Sequence, residues 1–282
     1  MPSSSSSVQQ ARQAFGLRLR EIRKDAGLTA RELARRAGWH ESKCSRLEHA
    51  RTPPSDNDIR SWALHCDAQD QIEDLIATAR GIEGMYIEWR RVERAGLKQV
   101  QESVAPLVER TRRFRSYQSW VVPGLLQTAA YTKAVLETIT ALRDVPDDVD
   151  DAVQVRIERQ QALHSGRQRF AMLLEEWVLR TIIGNAEVMA GQLGHLISVA
   201  TLPSVSLGVI PLGTPRGKGW PVESFTIYDE EQVNVELVSA HLTVTSPSEV
   251  AEYSKAFAAL ADIAVYGAQA RGLITAAIDA LR

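Results

Sequence analysis

Between Leu28 and Ser55 the chain reads LTARELARRAGWHESKCSRLEHARTPPS, two short helical segments separated by one glycine. No other stretch constrains the fold as tightly. Thr29 followed three residues later by Glu32 is a capping box, in which a hydroxyl and a carboxylate satisfy free backbone donors at a helix start. Leu33, Ala34 and Ala37 then share one face. Gly38 stops the helix because it takes the left-handed conformation without a Cβ clash. A second helix is expected from about Glu41 to His49, burying Cys44 and Leu47 and turning Glu41, Ser42, Lys43, Ser45 and Arg46 outward near its start. Such side chains at a helix N-terminus suit base edges in a major groove, where an arginine fork matches guanine and serine matches donor or acceptor edges. Without that chemistry the same stretch is two solvated helices of a bundle.

The small pair Ala34 and Ala37, the glycine turn and the polar face occur together, and the stretch resembles the lambda-repressor-like (XRE) helix-turn-helix family. Its pattern is met at Leu28 and Thr29, Glu32 to Ala34, Ala37 and Gly38, Ser42, Ser45, Glu48, Pro54 and Ser55. The resemblance covers about Phe15 to Ala79. It implies a five-helix domain that binds double-stranded DNA, with Arg23 of the first helix paired to Glu48 behind the reading face. Glu41, Ser42, Lys43 and Arg46 would then read bases, and Thr29, Arg31, His49, Arg51 and Thr52 would hold phosphates. One departure stands out: the family places Asn-Gly after the glutamate, and this chain has His49 and Ala50. A left-handed residue there is expected to be strained.

Charge divides the chain in the same way. Residues 1–66 carry twelve Lys and Arg against seven Asp and Glu, whereas the remainder carries 21 against 28. The basic part is the one that would meet phosphates, an asymmetry hidden by the net charge of −2. With 282 residues there is room for a second core beyond one helical module. The expected organisation is a disordered tail over 1–10, a DNA-binding domain over 11–80 and a regulatory and dimerisation domain over 85–282. Two cysteines, Cys44 and Cys66, fall at apolar helical positions and make no disulfide framework, as suits a reduced cytoplasmic protein. The start, MPSSSSSVQQ, lacks the pattern of a signal peptide, and no run is long enough to span a bilayer, so no membrane partner is expected.

The second part reads as α+β, so the whole chain is expected to be mainly α with a larger α+β C-terminal domain. A helix completed by Ile72, Leu75, Ile76 and Ala79 is followed by Gly81 and Gly84, then by a long charged helix over about Met85 to Thr111. Strands are expected at Phe114 to Val122, Arg169 to Leu174, Val205 to Ile210, Ser224 to Tyr228 and Val233 to Val238. Helices are expected at Leu125 to Thr138, Asp147 to Gly166, Glu176 to Ile182, Ala186 to Ala200, and Pro247 to Leu281 with a break near Gly267. The stretches VPGLLQTAAY (Val122 to Tyr131), RIERQ (Arg156 to Gln160), LLEEWVLR (Leu173 to Arg180), MAGQLGHL (Met189 to Leu196) and VSLGVIPLG (Val205 to Gly213) resemble the WhiJ-like regulators of filamentous actinobacteria. That resemblance implies a transcriptional regulator or an antitoxin-like repressor.

No catalytic constellation emerges, and the chain is not expected to be an enzyme. GTPRGKG at Gly213 to Gly219 lacks the spacing, the following Ser or Thr and the helix of a P-loop, and reads as a basic hairpin or lid beside Trp220. No GxSxG elbow occurs, and the adjacent Glu175 and Glu176 have no partner arranging them as acid and base. Six scattered histidines, His40, His49, His65, His164, His195 and His241, give no ligand spacing, so neither metal nor cofactor is expected. If the second domain holds an effector, the aromatic residues near strand ends place it by Trp120, Gln127, Tyr131, Arg180 and Trp220. Two readings stay open: a homodimer responding to a small molecule, or an autoregulatory protein whose second domain captures a small partner protein.

Overall fold

The computed structural model describes residues 4–82, 86–88, 93–143, 145–217, 219–238 and 240–281. The chain divides into two compact units, one of Met1–Ile87 with Leu242–Val250 and the other of Glu88–His241 with Ala251–Arg282. Leu242–Val250 was expected in the second domain and belongs to the first unit. There Asp74 Oδ1 accepts from Ser246 Oγ and from the Ser248 amide, each at 2.9 Å, a long-range bond with no local sequence signal.

The first unit is helical: α1 (Ser4–Asp25), α2 (Ala30–Arg36), α3 (Glu41–Glu48), α4 (Asp56–His65) and α5 (Ile72–Gly81). Helix α1 includes Ser4–Gln10. Extending a nucleated helix through polar residues that include no Gly or Pro costs little per residue. Phe15, Leu19 and Ile22 of α1 meet Leu33, Ala34, Cys44, Leu47, Ile59 and Trp62 in one buried cluster. The Trp62 indole donates to the Leu19 carbonyl at 3.0 Å. Cys44 and Cys66 are buried free thiols, and burial pushes Cys66 up to about 11, which leaves it protonated at neutral pH.

The second unit is α+β. Its strands are β2 (Arg113–Gln118), β3 (Arg169–Glu175), β4 (Val205–Ile210), β5 (Phe225–Tyr228) and β6 (Gln232–Glu236), with β1 (Tyr86–Glu88) and β7 (Ala240–Val244) at the division between the units. The strand order runs β6-β5-β2-β3-β4. Strands β2, β3 and β4 are parallel, while β5 runs antiparallel to β2 and β6. Register sets Phe114 beside Phe170, whose rings stack at 4.7 Å. Helices α6 (Leu97–Arg110), α7 (Ala129–Arg143), α8 (Val149–Arg159), α9 (Glu176–Arg180), α10 (Ala186–Val199), α11 (Pro247–Ala261) and α12 (Gly267–Asp279) surround the sheet. Leu193 and Leu196 of α10 and Ile274 and Ala277 of α12 join Phe170, Met172, Leu207 and Val209 in the core.

One helix was misread. Met85 to Thr111 was expected to be continuous, but β1 stands at Tyr86–Glu88 and α6 begins only at Leu97. Gly96 has φ 101°, and a Cβ there would lie 2.2 Å from an oxygen of Asp148. That carboxylate accepts from the amides of Leu97 and Lys98 at 2.8 and 2.9 Å, capping α6 from a distant segment.

Candidate nucleic-acid interface

Helix α2 forms as the capping pattern predicts. Thr29 accepts from the Glu32 amide at 3.2 Å, and the Glu32 carboxylate accepts from the Thr29 amide at 2.8 Å. The helix closes through Gly38, φ 67°, with the Trp39 amide bonded to the Ala34 carbonyl at 2.8 Å. Helix α3 is capped by His40, whose Nδ1 faces the Ser42 amide at 3.3 Å and the Ser42 hydroxyl at 2.8 Å. Sequence reasoning had not seen this cap, because histidine is not a usual N-cap residue.

The inner face of α3 is pinned to α1. Arg23 Nε donates to Glu48 Oε1 at 2.6 Å, Nη2 donates to Oε2 at 3.1 Å, and Nη1 donates to the Leu28 carbonyl at 2.6 Å. The Arg23 and Glu48 side chains are 9% and 4% exposed, so the expected pair is a buried, bidentate one. Its bond to Glu48 holds the Arg23 guanidinium above its ordinary pKa. Gly16 lets the helices approach: a Cβ there would sit 2.5 Å from the Glu48 carbonyl oxygen. The capping and periodicity signals carry no trace of that role.

Pinning this face leaves the other side of α3 to solvent. Glu41, Ser45 and Arg46 are exposed and Ser42 is half-buried. Arg46 Nη1 donates to Ser42 Oγ at 2.9 Å, one turn earlier, and Glu41 pairs with Arg31 at 2.8 Å. Lys43 departs from expectation. Its ammonium lies 2.5 Å from Asp58 and 4.6 Å from the Trp39 ring centre, drawn inward by the carboxylate at the start of α4. It reaches a groove only by releasing Asp58. Thr29, Arg31, His49, Arg51 and Thr52 are all exposed at the ends of α2 and α3.

The departure from the Asn-Gly pattern has a visible consequence. Ala50 adopts φ 52°, and the Arg51 and Ala50 amides bond the Arg46 and Leu47 carbonyls at 2.8 and 3.1 Å. This is a Schellman closure with alanine in the left-handed position, which costs an L residue about 1 kcal/mol. Ala50→Gly should therefore raise the stability of the first unit by about 0.5–1 kcal/mol, part of the relief being lost to unfolded-state entropy. Urea unfolding checks this, and a lower midpoint would contradict the strain.

The five residues expected around an effector stand in different settings. Trp120 and Trp220 are 58% and 70% exposed, whereas Gln127 and Tyr131 are buried in the core. Gln127 Nε2 donates to the Val122 carbonyl at 2.7 Å and the Tyr131 hydroxyl accepts from the Val122 amide at 3.3 Å, so both shape the Val122 turn. Arg180 bonds Glu176 within α9. Clefts of about 280 and 260 Å³ lie elsewhere, beside Arg115 and Arg169 in the second unit and beside Phe15 and Pro54 in the first. Aromatic composition marks apolar surface but not the direction in which a side chain points.

The lid reading of Gly213 to Gly219 omitted its main partner. Arg216 forks onto Glu175 at 2.8 and 2.5 Å, and the Tyr117 hydroxyl donates to the same fully buried carboxylate at 2.8 Å. Glu176 accepts from the Leu212 amide at 3.0 Å. The two adjacent glutamates tie the loop to the end of β3.

Among the described residues no group of three or more His, Cys, Asp or Glu could hold a metal, and no helix is long and apolar enough to cross a membrane. No curated protein and no solved structure matches the chain. Two family profiles do: a helix-turn-helix domain matches residues 14–75, and a domain of unknown function (DUF5753) matches residues 101–276. The chain belongs to the DUF5753 family and carries an XRE-like helix-turn-helix domain at its N-terminal end.

Proposed function

We propose that this DUF5753 protein is a sequence-specific transcriptional regulator that places the start of α3 in the major groove of duplex DNA. One observation carries the reading: the buried Arg23–Glu48 pair fixes α3 so that Glu41, Ser42 and Arg46 face outward from its first turns. Arg46 is the principal base reader, already aligned by Ser42. Thr29, Arg31, His49, Arg51 and Thr52 set the register on phosphates, and Lys43 joins the reading set on leaving Asp58.

One module covers a single half-site, so the active form is a homodimer joined through the second domain. The regulator acts as a cytoplasmic repressor of the WhiJ-like actinobacterial kind, and its second domain, residues 85–282, responds to a small molecule. The antitoxin-like alternative assigns that domain a partner polypeptide instead. Two half-buried arginines of α8, Arg156 and Arg159, with no carboxylate in contact favour the small molecule. The test of base reading is Arg46→Ala, which should cost about 1–3 kcal/mol on a specific site and leave the melting temperature unchanged. Unchanged affinity and unchanged site preference would remove Arg46 from this role.

A further inference from the structure

Helix α8 presents Arg156 and Arg159 on neighbouring positions of one face. Arg156 Nε donates to Gln101 Oε1 at 3.0 Å and its Nη1 to Gln127 Oε1 at 2.8 Å. Its guanidinium lies against Gly124, where a Cβ would be 3.7 Å from Nε and Cζ. Arg159 donates Nη1 to the Gln101 carbonyl at 3.1 Å and Nη2 to Gln101 Oε1 at 3.2 Å. Every one of these acceptors is a neutral amide oxygen. Arg159 Nε is buried and has no hydrogen-bond partner.

Among the described residues, no carboxylate lies within 4 Å of either guanidinium. Glu236, the acidic group whose field reaches both, is exposed at the end of β6. Burial, and for Arg156 also the charge of Arg159, lowers both arginines, Arg156 to about 10. Two neighbouring half-buried cations with no carboxylate in contact are unfavourable, since burying a charge is tolerated when it is paired. Both residues are half-buried and keep part of their surface in solvent. Tyr228 of β5 lies close enough to feel the charge of Arg159. Burial pushes Tyr228 up to about 12, which keeps it a neutral donor.

We propose that Arg156 and Arg159, with Tyr228 nearby, form a binding site for a small-molecule oxyanion, a carboxylate or phosphate group carried by the effector. Guanidinium forks match such planar or tetrahedral oxyanions, which supply the missing negative charge and accept from the free Nε. The inference deepens the ligand-sensing part of the proposed function and rests on it for any consequence at DNA, but the binding itself is independent of DNA.

The full chain is melted in sodium phosphate, in sodium malonate and in sodium chloride at matched ionic strength. Phosphate or malonate should raise the unfolding temperature saturably, by about 4 °C at high occupancy, while chloride does not. A response to phosphate alone assigns a phosphate-bearing effector, and a response to malonate alone assigns a carboxylate. Arg159→Gln should abolish the shift without lowering the unliganded melting temperature, because it removes an unpaired charge. Arg159→Lys keeps the cation, loses the fork and should retain part of the shift. Equal shifts in all three salts, no shift in any, or a full shift in Arg159→Gln would overturn the site. Binding of a selected duplex by the same preparation separates the two claims: its loss with the anion shift intact would strike the DNA reading alone.

Discussion

Glu48→Ala is expected to destabilise the first unit by about 3–5 kcal/mol, because it leaves a buried guanidinium without its counter-ion. Arg23 makes three charge-assisted bonds, two of them to Glu48, and only the Leu28 carbonyl would remain. Arg20 lies 3.8 Å from the same carboxylate, so its cationic field would lose its partner as well. Small domains are stable by about 5–15 kcal/mol, so such a loss approaches the whole reserve. Because the pair lies behind the reading face, the variant should weaken binding to every duplex alike, unlike Arg46→Ala. Replacing both partners, as Arg23→Met with Glu48→Leu, should recover much of the stability, since an apolar pair carries no desolvation cost. Urea unfolding reads the effect. A midpoint unchanged in Glu48→Ala would mean that the pair contributes nothing.

Arg216→Ala should destabilise the second unit by about 3 kcal/mol through the same physics in the opposite sign, an unpaired buried carboxylate. Glu175 is fully buried and would keep only the Tyr117 hydroxyl. Glu176 would still hold the loop through the Leu212 amide. Hydrogen exchange should accelerate in residues 212–220 beyond its rise elsewhere in the sheet. Arg216→Lys should lie between, since an ammonium supplies charge without the fork. Wild-type stability and unchanged loop exchange in Arg216→Ala would contradict the tie.

Local signals made the helix-turn-helix legible. The Thr29–Glu32 box, the Gly38 stop and the buried positions Cys44 and Leu47 all act within a few residues, and α2 and α3 stand where those signals put them. Strand β4 falls on Val205–Ile210 as its apolar run predicts. What escaped the sequence depends on long-range partners. Gly96 breaks the expected long helix against Asp148, and Leu242–Val250 joins the first unit through Asp74. Strand β7, with three of its five residues half-buried, offered no clean alternation. Arg156 and Arg159 look like the solvated stripe of an amphipathic helix until α6 brings Gln101 against them. Lys43 looked outward because its spacing from Asp58 carries no periodic signal.

Selection of duplexes from a random pool by the full chain, run in parallel with Arg46→Ala, tests the central claim most directly. The wild-type protein should enrich one two-fold symmetric sequence whose half-sites lie one helical turn, about 34–36 Å, apart. Arg46→Ala should lose preference at one base pair of each half-site and keep the spacing. An unenriched pool with the wild-type protein, or an identical site selected by Arg46→Ala, would contradict the account.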